Sequence, residues 1–333
     1  MSVKDQVITD QYAIYNSDCM YVLPSLDNES VDFSVYSPPF AGLYNYSSSE
    51  NDFSNCATKE EFLHQYDFLI REMARVTKRG RINAVHCTEV VENSGTSWDF
   101  PHEIIKLHER AGFLYKGRVT IWKEPLKVRM RTMVKSLMHK LIVEDATQCF
   151  PSQPDYLLIF KKKGDAEIPV THIDGLNRYY GEVPILPNML RAWNNQNNSS
   201  MTAEELWDYL NKEKVPGEIS KLNHYIWQRY ASAVWDDIRI DNVLPFRDSK
   251  EEDDEKHVHP LQLDVIDRCV DLWTNPGDVV LTPFMGVGSE VYSPVSLGRK
   301  AIGIELKESY FKQAKINLSL ASDRFKTVQE TFI

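Results

Sequence analysis

A short apolar strand, a glycine turn, a helix, a second apolar strand and an acid follow one another without a break between Val279 and Glu305. The strands read Val279-Val-Leu281 and Lys300-Ala-Ile-Gly-Ile304, with a helix from about Gly288 to Leu297 between them. Two strands joined through a helix lie parallel in one sheet, because the crossover returns the chain to the end it started from. The tail is therefore a complete βαβ unit and sets the fold class as α/β.

The turn itself is Thr282-Pro-Phe-Met-Gly286-Val-Gly288-Ser289. Glycines at such a place let the backbone approach a ligand closely, and the helix N-terminus adds free N–H donors. Glu305 closes the second strand 19 residues after Gly286. An acid at that distance accepts hydrogen bonds from ribose hydroxyls. A plain tight turn with a capping carboxylate fits the same residues. The G-x-G-x-x-G spelling is absent, so a pyrophosphate cradle is not indicated and a nicotinamide dehydrogenase is the weakest reading. An adenosine ligand without phosphates, such as S-adenosylmethionine, fits better.

Further strands and helices alternate upstream. Val31–Tyr36 reads as a short buried strand, cut off by the prolines of Ser37-Pro38-Pro39-Phe40. Thr58 to Thr77 has apolar residues at helical spacing and opens on a capping box, Thr58-x-x-Glu61. Strands are expected at Arg81–Cys87, Tyr115–Trp122 and Asp155–Lys161, and helices at His102–Arg110 and Leu261–Trp273. The stretch from about 165 to 245 is rich in Tyr, Trp and Asn without clean alternation, and reads as a less regular insert. Asn194 to Ser200 reads as a polar joint within it, followed by a helix capped by Thr202-x-x-Glu205. The domain expectation is 1–165, 166–250 and 251–333.

Ser37-Pro38-Pro39-Phe40 falls just past a strand's C-terminal end, where open α/β sheets bind ligands. Two prolines stiffen the turn, so Ser37 and the Pro38 carbonyl become fixed acceptors and Phe40 a fixed aromatic face. Such a set suits a flat base with an exocyclic amine: the acceptors orient the –NH2 and the ring stacks on the base, which must leave the duplex to reach it. In isolation a proline turn with a core Phe fits as well.

Together the two motifs resemble the β-type, permuted DNA amino-methyltransferases of bacteria and phages. These carry a (D/N/S/T)-P-P-(Y/F) loop early and a D-P-F-x-G-x-G-(S/T) loop late. Asn16-Ser-Asp18-Cys, His259-Pro260-Leu-Gln262 and Gly303-Ile-Glu305 with Tyr310 are similar to further segments of that family, and Ile121 to Ile159 resembles its phage and prophage members. The resemblance covers roughly 12–165 and 255–320. It implies a Rossmann-like methyltransferase fold with a mostly parallel seven-stranded sheet that includes an antiparallel hairpin strand. The cofactor half is permuted to the C-terminal side, with 166–250 as an inserted target-recognition region. It implies catalysis by Ser37, Pro38, Pro39 and Phe40. It also implies S-adenosylmethionine held by Asp18, Ser37, His259, Pro260, Gln262, Thr282, Pro283, Phe284, Gly286, Gly288, Ser289 and Glu305. Thr282 stands where Asp is usual, and Leu-Asp follows Gln262 where Lys-Pro is usual. Ser rather than Asp at the head of the catalytic loop leans towards cytosine N4 over adenine N6.

The net charge is −10, yet Lys116 to Lys140 holds eight basic residues and one acid, Glu124. Acids gather instead in Asp248 to Glu255. A basic stripe on an acidic chain is compatible with binding a nucleic-acid backbone, and with a solvated helix face. Tyr44, Tyr46, Lys127, Arg129, Arg131 and Lys135 are the candidate contacts to double-stranded DNA. Asn223, Tyr225, Trp227, Arg229 and Tyr230 fit either recognition or a satellite core. The five cysteines are scattered and no His/Cys spacing suits a metal, so none is expected. No apolar run reaches the roughly 18 residues of a membrane span, and no leader is evident, which places the chain in the cytoplasm. A second copy of the chain and a restriction endonuclease stay open as protein partners. Transfer to RNA or a protein glutamine, and a DNA-binding module without chemistry, are the other readings.

Overall fold

The computed structural model describes residues 3–39, 56, 58–91, 96–132, 134–173, 175–182, 184–212, 218–249 and 260–321. The chain opens with a hairpin, β1 (Asp5–Ile8) and β2 (Tyr12–Asn16), closed by Thr9, whose hydroxyl accepts from the Tyr12 N–H at 2.9 Å. After the short α1 (Cys19–Val22) comes β3 (Val31–Tyr36), buried at all six residues. Helix α2 (Lys59–Val76) starts where the capping box places it: the Thr58 hydroxyl accepts from the Glu61 N–H at 3.1 Å. It leads to β4 (Thr77–Cys87), a small ribbon of β5 (Val90–Val91) and β6 (Ser97–Trp98), and α3 (Phe100–Arg110). Strands β7 (Phe113–Ile121) and β8 (Asp155–Lys162) flank an excursion holding α4 (Pro125–Thr132) and α5 (Lys140–Glu144). Helices α6 (Pro187–Asn197), α7 (Ala203–Lys212) and α8 (Glu218–Tyr230) precede the two-residue β9 (Val234–Trp235). The tail is α9 (Leu263–Trp273), β10 (Val279–Thr282), α10 (Ser289–Ser296), β11 (Lys300–Glu305) and α11 (Glu308–Ser319).

Among the described residues one nine-stranded sheet runs β1-β2-β11-β10-β3-β4-β8-β7-β9. Strands β2, β11, β10, β3 and β4 are mutually parallel, and β8 runs antiparallel between β4 and β7. The expected seven strands are thus nine. Both additions are edges without an apolar run: β1 is mostly exposed, and β9 meets β7 only at Thr120↔Val234 and Ile121↔Trp235.

The stretch expected to be irregular holds three helices, α6 to α8, between non-helical segments. Trp193, Leu206, Leu210, Leu222, Ile226 and Tyr230 are buried in one cluster with Phe33 and Val35 of β3 and Val265 of α9. The Asn194 to Ser200 joint is mostly the end of α6. Asn198 takes the left-handed conformation there (φ 48°), and the Asn194 side chain bonds Ser199 and Met201. Tyr230 is buried in, and Tyr225 packed against, the main cluster with β3 and α9 rather than a satellite core, Arg229 is buried, and Trp227 is half exposed. Arg268 of α9 is fully buried against the rings of Tyr179, Tyr230 and Trp235, and bonds Asp237 at 2.8 Å. Pairing and ring contact compensate a desolvated guanidinium. The opposite sheet face is covered by α2 and α3. No described helix is long and apolar enough to cross a membrane.

Candidate active site at the strand ends

Chain order reverses between β10 and β3. From β10 the chain crosses to β11 on one side, and from β3 to β4 on the other. Such a switch point leaves a crevice at the C-terminal strand ends. Both sequence motifs meet there, because β10 pairs directly with β3 (Val280↔Phe33, Leu281↔Ser34). Phe284 then meets Tyr36, the residue before Ser37, edge-on at 6.0 Å.

The glycine loop has the backbone that its spelling anticipates. Gly286 (φ 54°) and Gly288 (φ 97°) are left-handed, a conformation that disfavours any Cβ. Gly288 is the residue before α10, and a Cβ on it would press on Ala314 Cβ at 3.3 Å. Glu305 holds the loop in place: its Oε2 accepts from the Gly286 N–H at 2.8 Å and its Oε1 from the Lys307 N–H at 2.7 Å. Asp18 follows the end of β2, next to Glu305, and caps α1 through the Met20 N–H at 2.8 Å. Gln262 stands buried at the head of α9 beside the half-buried Pro260.

Five buried oxygens around this crevice have no hydrogen-bond partner among the described residues: Asn16 Oδ1, Ser17 Oγ, Gln262 Oε1, Thr282 Oγ1 and Ser289 Oγ. Orphaned buried polar atoms are costly and call for an explanation. Ser17, Gln262, Thr282 and Ser289 flank the residues read as a nucleoside cradle, so a polar, uncharged adenosine group fits them. Thr282, where Asp was expected, still turns a hydroxyl into the buried strand end.

On the other side of the switch point lies a chain of groups that spacing could not reveal. Ser37 Oγ is 3.0 Å from His86 Nδ1, at the end of β4. His86 Nε2 lies 3.2 Å from Asp155 Oδ2, at the start of β8, off the straight hydrogen-bond line. Asp155 Oδ1 in turn pairs with Lys123, two residues past β7. Burial by itself raises the Asp155 carboxyl, but the attraction of Lys123 and His86 outweighs it and holds the group well below the ordinary carboxylate range. A cleft of about 180 Å³ opens beside this chain, lined by Trp122, Lys123, Lys127, Asp155, Asp241 and Gln262. It touches Gln262 on one side and the Asp155–Lys123 pair on the other.

The basic stripe divides. Lys123 is spent on Asp155; Lys127 and Lys135 are exposed, and Arg129 is half-buried. Glu124, the stripe's lone acid, caps α4: its two oxygens accept from the Leu126 and Lys127 N–H groups at 3.0 and 2.6 Å. Pro38 is buried and Pro39 half-buried. Phe40, Tyr44, Tyr46, His259 and the Arg131 side chain lie outside the described residues. No group of three or more His, Cys, Asp or Glu among the described residues is placed to hold a metal.

Fold and site together define an α/β protein with a glycine-loop crevice at the switch point beside a cleft of mixed apolar and charged lining. A family model described as DNA methylase, of the N6/N4 methyltransferase type, matches residues 31–316. The chain belongs to this DNA methylase family, which depends on S-adenosylmethionine. It is 23% identical over 301 residues to the type II methyltransferase M.BglII of Bacillus subtilis, covering 89% of this chain and 66% of that one. It is also 23% identical over 317 residues to M1.MboII of Moraxella bovis, covering 92% and 96%. The fold is shared with the PvuII DNA methyltransferase (cytosine-N4-specific) at a TM-score of 0.58, 12% identity and 98% and 95% coverage. A candidate DNA modification methylase of Thermus thermophilus, TTHA0409, complexed with S-adenosyl-L-methionine, matches at TM-score 0.57, 18% identity and 94% and 96% coverage.

Proposed function

We propose that this chain is a site-specific methyltransferase of double-stranded DNA, acting on the exocyclic amine of a flipped base, cytosine N4 or adenine N6. The observation that carries the reading is the meeting of Ser37 and the partnerless polar atoms of the glycine-loop crevice across one switch point. S-adenosylmethionine, when bound, supplies an electrophilic methyl group. The residues that hold it are Asp18, Pro260, Gln262, Thr282, Pro283, Phe284, Gly286, Gly288, Ser289 and Glu305, with His259 from the same segment. Ser37 and the Pro38 carbonyl accept the two amine protons, which turns the nitrogen lone pair towards the methyl. Phe40 stacks on the base.

A base reaches the cleft only by leaving the stack, and α4 stands at the cleft mouth with Lys127. Lys127, Arg129, Arg131 and Lys135 contact phosphates, and such contacts position the duplex without reading sequence. Tyr44 and Tyr46, which lie outside the described residues, are the candidates for lining the target pocket or the DNA groove. Residues 166–250 read the target, between a catalytic half (1–165) and a cofactor half (251–333) in permuted order. Serine at position 37 favours cytosine N4. A restriction endonuclease of the same specificity is the partner that the type II relatives point to.

The test is transfer from labelled S-adenosylmethionine to unmethylated DNA, followed by nucleoside analysis of the digest. N4-methylcytosine or N6-methyladenine is expected. Cofactor binding with no transfer to any DNA would refute the reading in favour of RNA, protein or a binding module.

A further inference from the structure

Four neighbouring strands each deliver one polar group to the same rim: Ser37 after β3, His86 on β4, Asp155 on β8 and Lys123 after β7. His86 and Asp155 are 9% and 5% exposed. The ladder between β4 and β8 already sets their register, so a buried Asp–Lys pair adds little to specifying the fold, and its desolvation is costly. We propose that His86, Asp155 and Lys123 are positioning residues that turn the Ser37 hydroxyl into a one-way acceptor and drain the proton released by methyl transfer.

This proposal rests on the methyl-transfer reading above, but its first link does not need it. A carboxylate only accepts hydrogen bonds, so the imidazole nitrogen facing Asp155 carries the hydrogen. Nε2 makes no aligned hydrogen bond among the described residues, and Asp155 Oδ2 at 3.2 Å is the acceptor it faces. Nδ1 is then the bare nitrogen, and it faces Ser37 Oγ. The serine proton is therefore donated to Nδ1, and the Oγ lone pairs point outward. A hydroxyl that would otherwise rotate freely becomes the equivalent of a carboxylate acceptor. Lys123 keeps Asp155 charged, and so keeps the tautomer.

Protons and electrons balance through the same groups. The amine nitrogen forms its new bond to the methyl carbon, and the carbon–sulfur bond breaks with its electron pair left on sulfur. The nitrogen, now cationic, gives one N–H proton to Ser37 Oγ, and the serine's own proton passes to His86 Nδ1. The imidazolium so formed lies against the Asp155 carboxylate. Its proton leaves to solvent, which restores the starting state.

Two measurements test this. In the wild-type protein, nitrogen-15 NMR of His86 is expected to show the Nε2–H tautomer; the Nδ1–H tautomer would overturn the proposal without any reference to activity. Asp155→Asn can donate to Nε2 and so reverses the tautomer. It is expected to retain S-adenosylmethionine affinity while the single-turnover rate falls by roughly 10²–10⁴, the range of a lost proton acceptor. His86→Ala is expected to regain part of its rate with added imidazole. Near wild-type turnover in Asp155→Asn with a reversed tautomer would overturn the relay. A wild-type protein that methylates no DNA would sink the methyl-transfer reading instead, leaving the tautomer result standing.

Discussion

Glu290 in the first turn of α10 is buried, and it offers a quantitative check on the environment of the glycine loop. Burial pushes its carboxyl from 4.5 up to about 8; a backbone hydrogen bond opposes the shift and repulsion from Glu305 adds to it. The native protein thus binds one more proton than the unfolded chain between these two values. Stability then falls as pH rises, by about 1.4 kcal/mol per unit. From pH 4.5 to pH 7 that amounts to roughly 3 kcal/mol, with no further loss above the folded value. Glu290→Gln keeps the shape and removes the proton. Its stability is expected to match the wild type near pH 4.5 and to exceed it by roughly 3 kcal/mol at pH 7, equivalent to about 5 °C in Tm for a chain of this size. Urea unfolding at pH 5, 6, 7 and 8 measures this directly. A difference between the two proteins that stays constant across the series would refute the buried, protonated carboxyl.

The other expectations concern the site. Glu305→Ala removes the acceptor that fixes the Gly286 N–H, and should weaken S-adenosylmethionine binding by at least tenfold in calorimetry while the fold survives. Gly303→Ala would place a Cβ 2.6 Å from Met285 Sδ and from Val291 Cγ2; overpacking of this kind costs about 1–3 kcal/mol, and a lower Tm is the readout. Ser37→Ala should abolish transfer and leave cofactor affinity unchanged, so normal turnover would remove Ser37 from the chemistry. Lys127→Ala should weaken binding to all DNA sequences alike and reduce the slope of log K against log salt by about 1; an unchanged slope would place Lys127 off the phosphate path.

What could be read from the chain alone follows from burial. Val31–Tyr36 is visible by its alternating Val31, Phe33 and Val35, and Val279–Leu281 as a short apolar run closed by a turn signal. Tyr12–Asn16 escapes because its apolar run, Tyr12 to Tyr15, is short and lies in an otherwise polar, charged stretch. Helix α7 was legible from its capping box, Thr202-x-x-Glu205, whereas α6 escapes because its buried residue, Trp193, is set among asparagines, and α8 because Leu222, Ile226 and Tyr230 are set among polar residues. Both loop motifs were legible as spelling. The Ser37–His86–Asp155 chain was not, since it depends on the antiparallel register of β4 and β8, which places His86 opposite Leu157. A histidine at the end of one strand and an aspartate at the start of another were the available signs.

The pairing of β10 with β3 also shapes how the chain is made. Val279 N–H bonds Asp32 Oδ2 at 3.0 Å across a separation of 247 positions. Until the last strands leave the ribosome, β2 and β3 have no neighbour between them, and β3 presents an open edge. Long-range pairing of this sort slows folding and exposes strand edges to aggregation. The nascent chain should therefore depend on chaperones through most of its synthesis, and the two halves of the site can meet only after the tail has emerged. A truncated product would carry Ser37 but no cradle, and so would be inert towards the genome of the cell that made it.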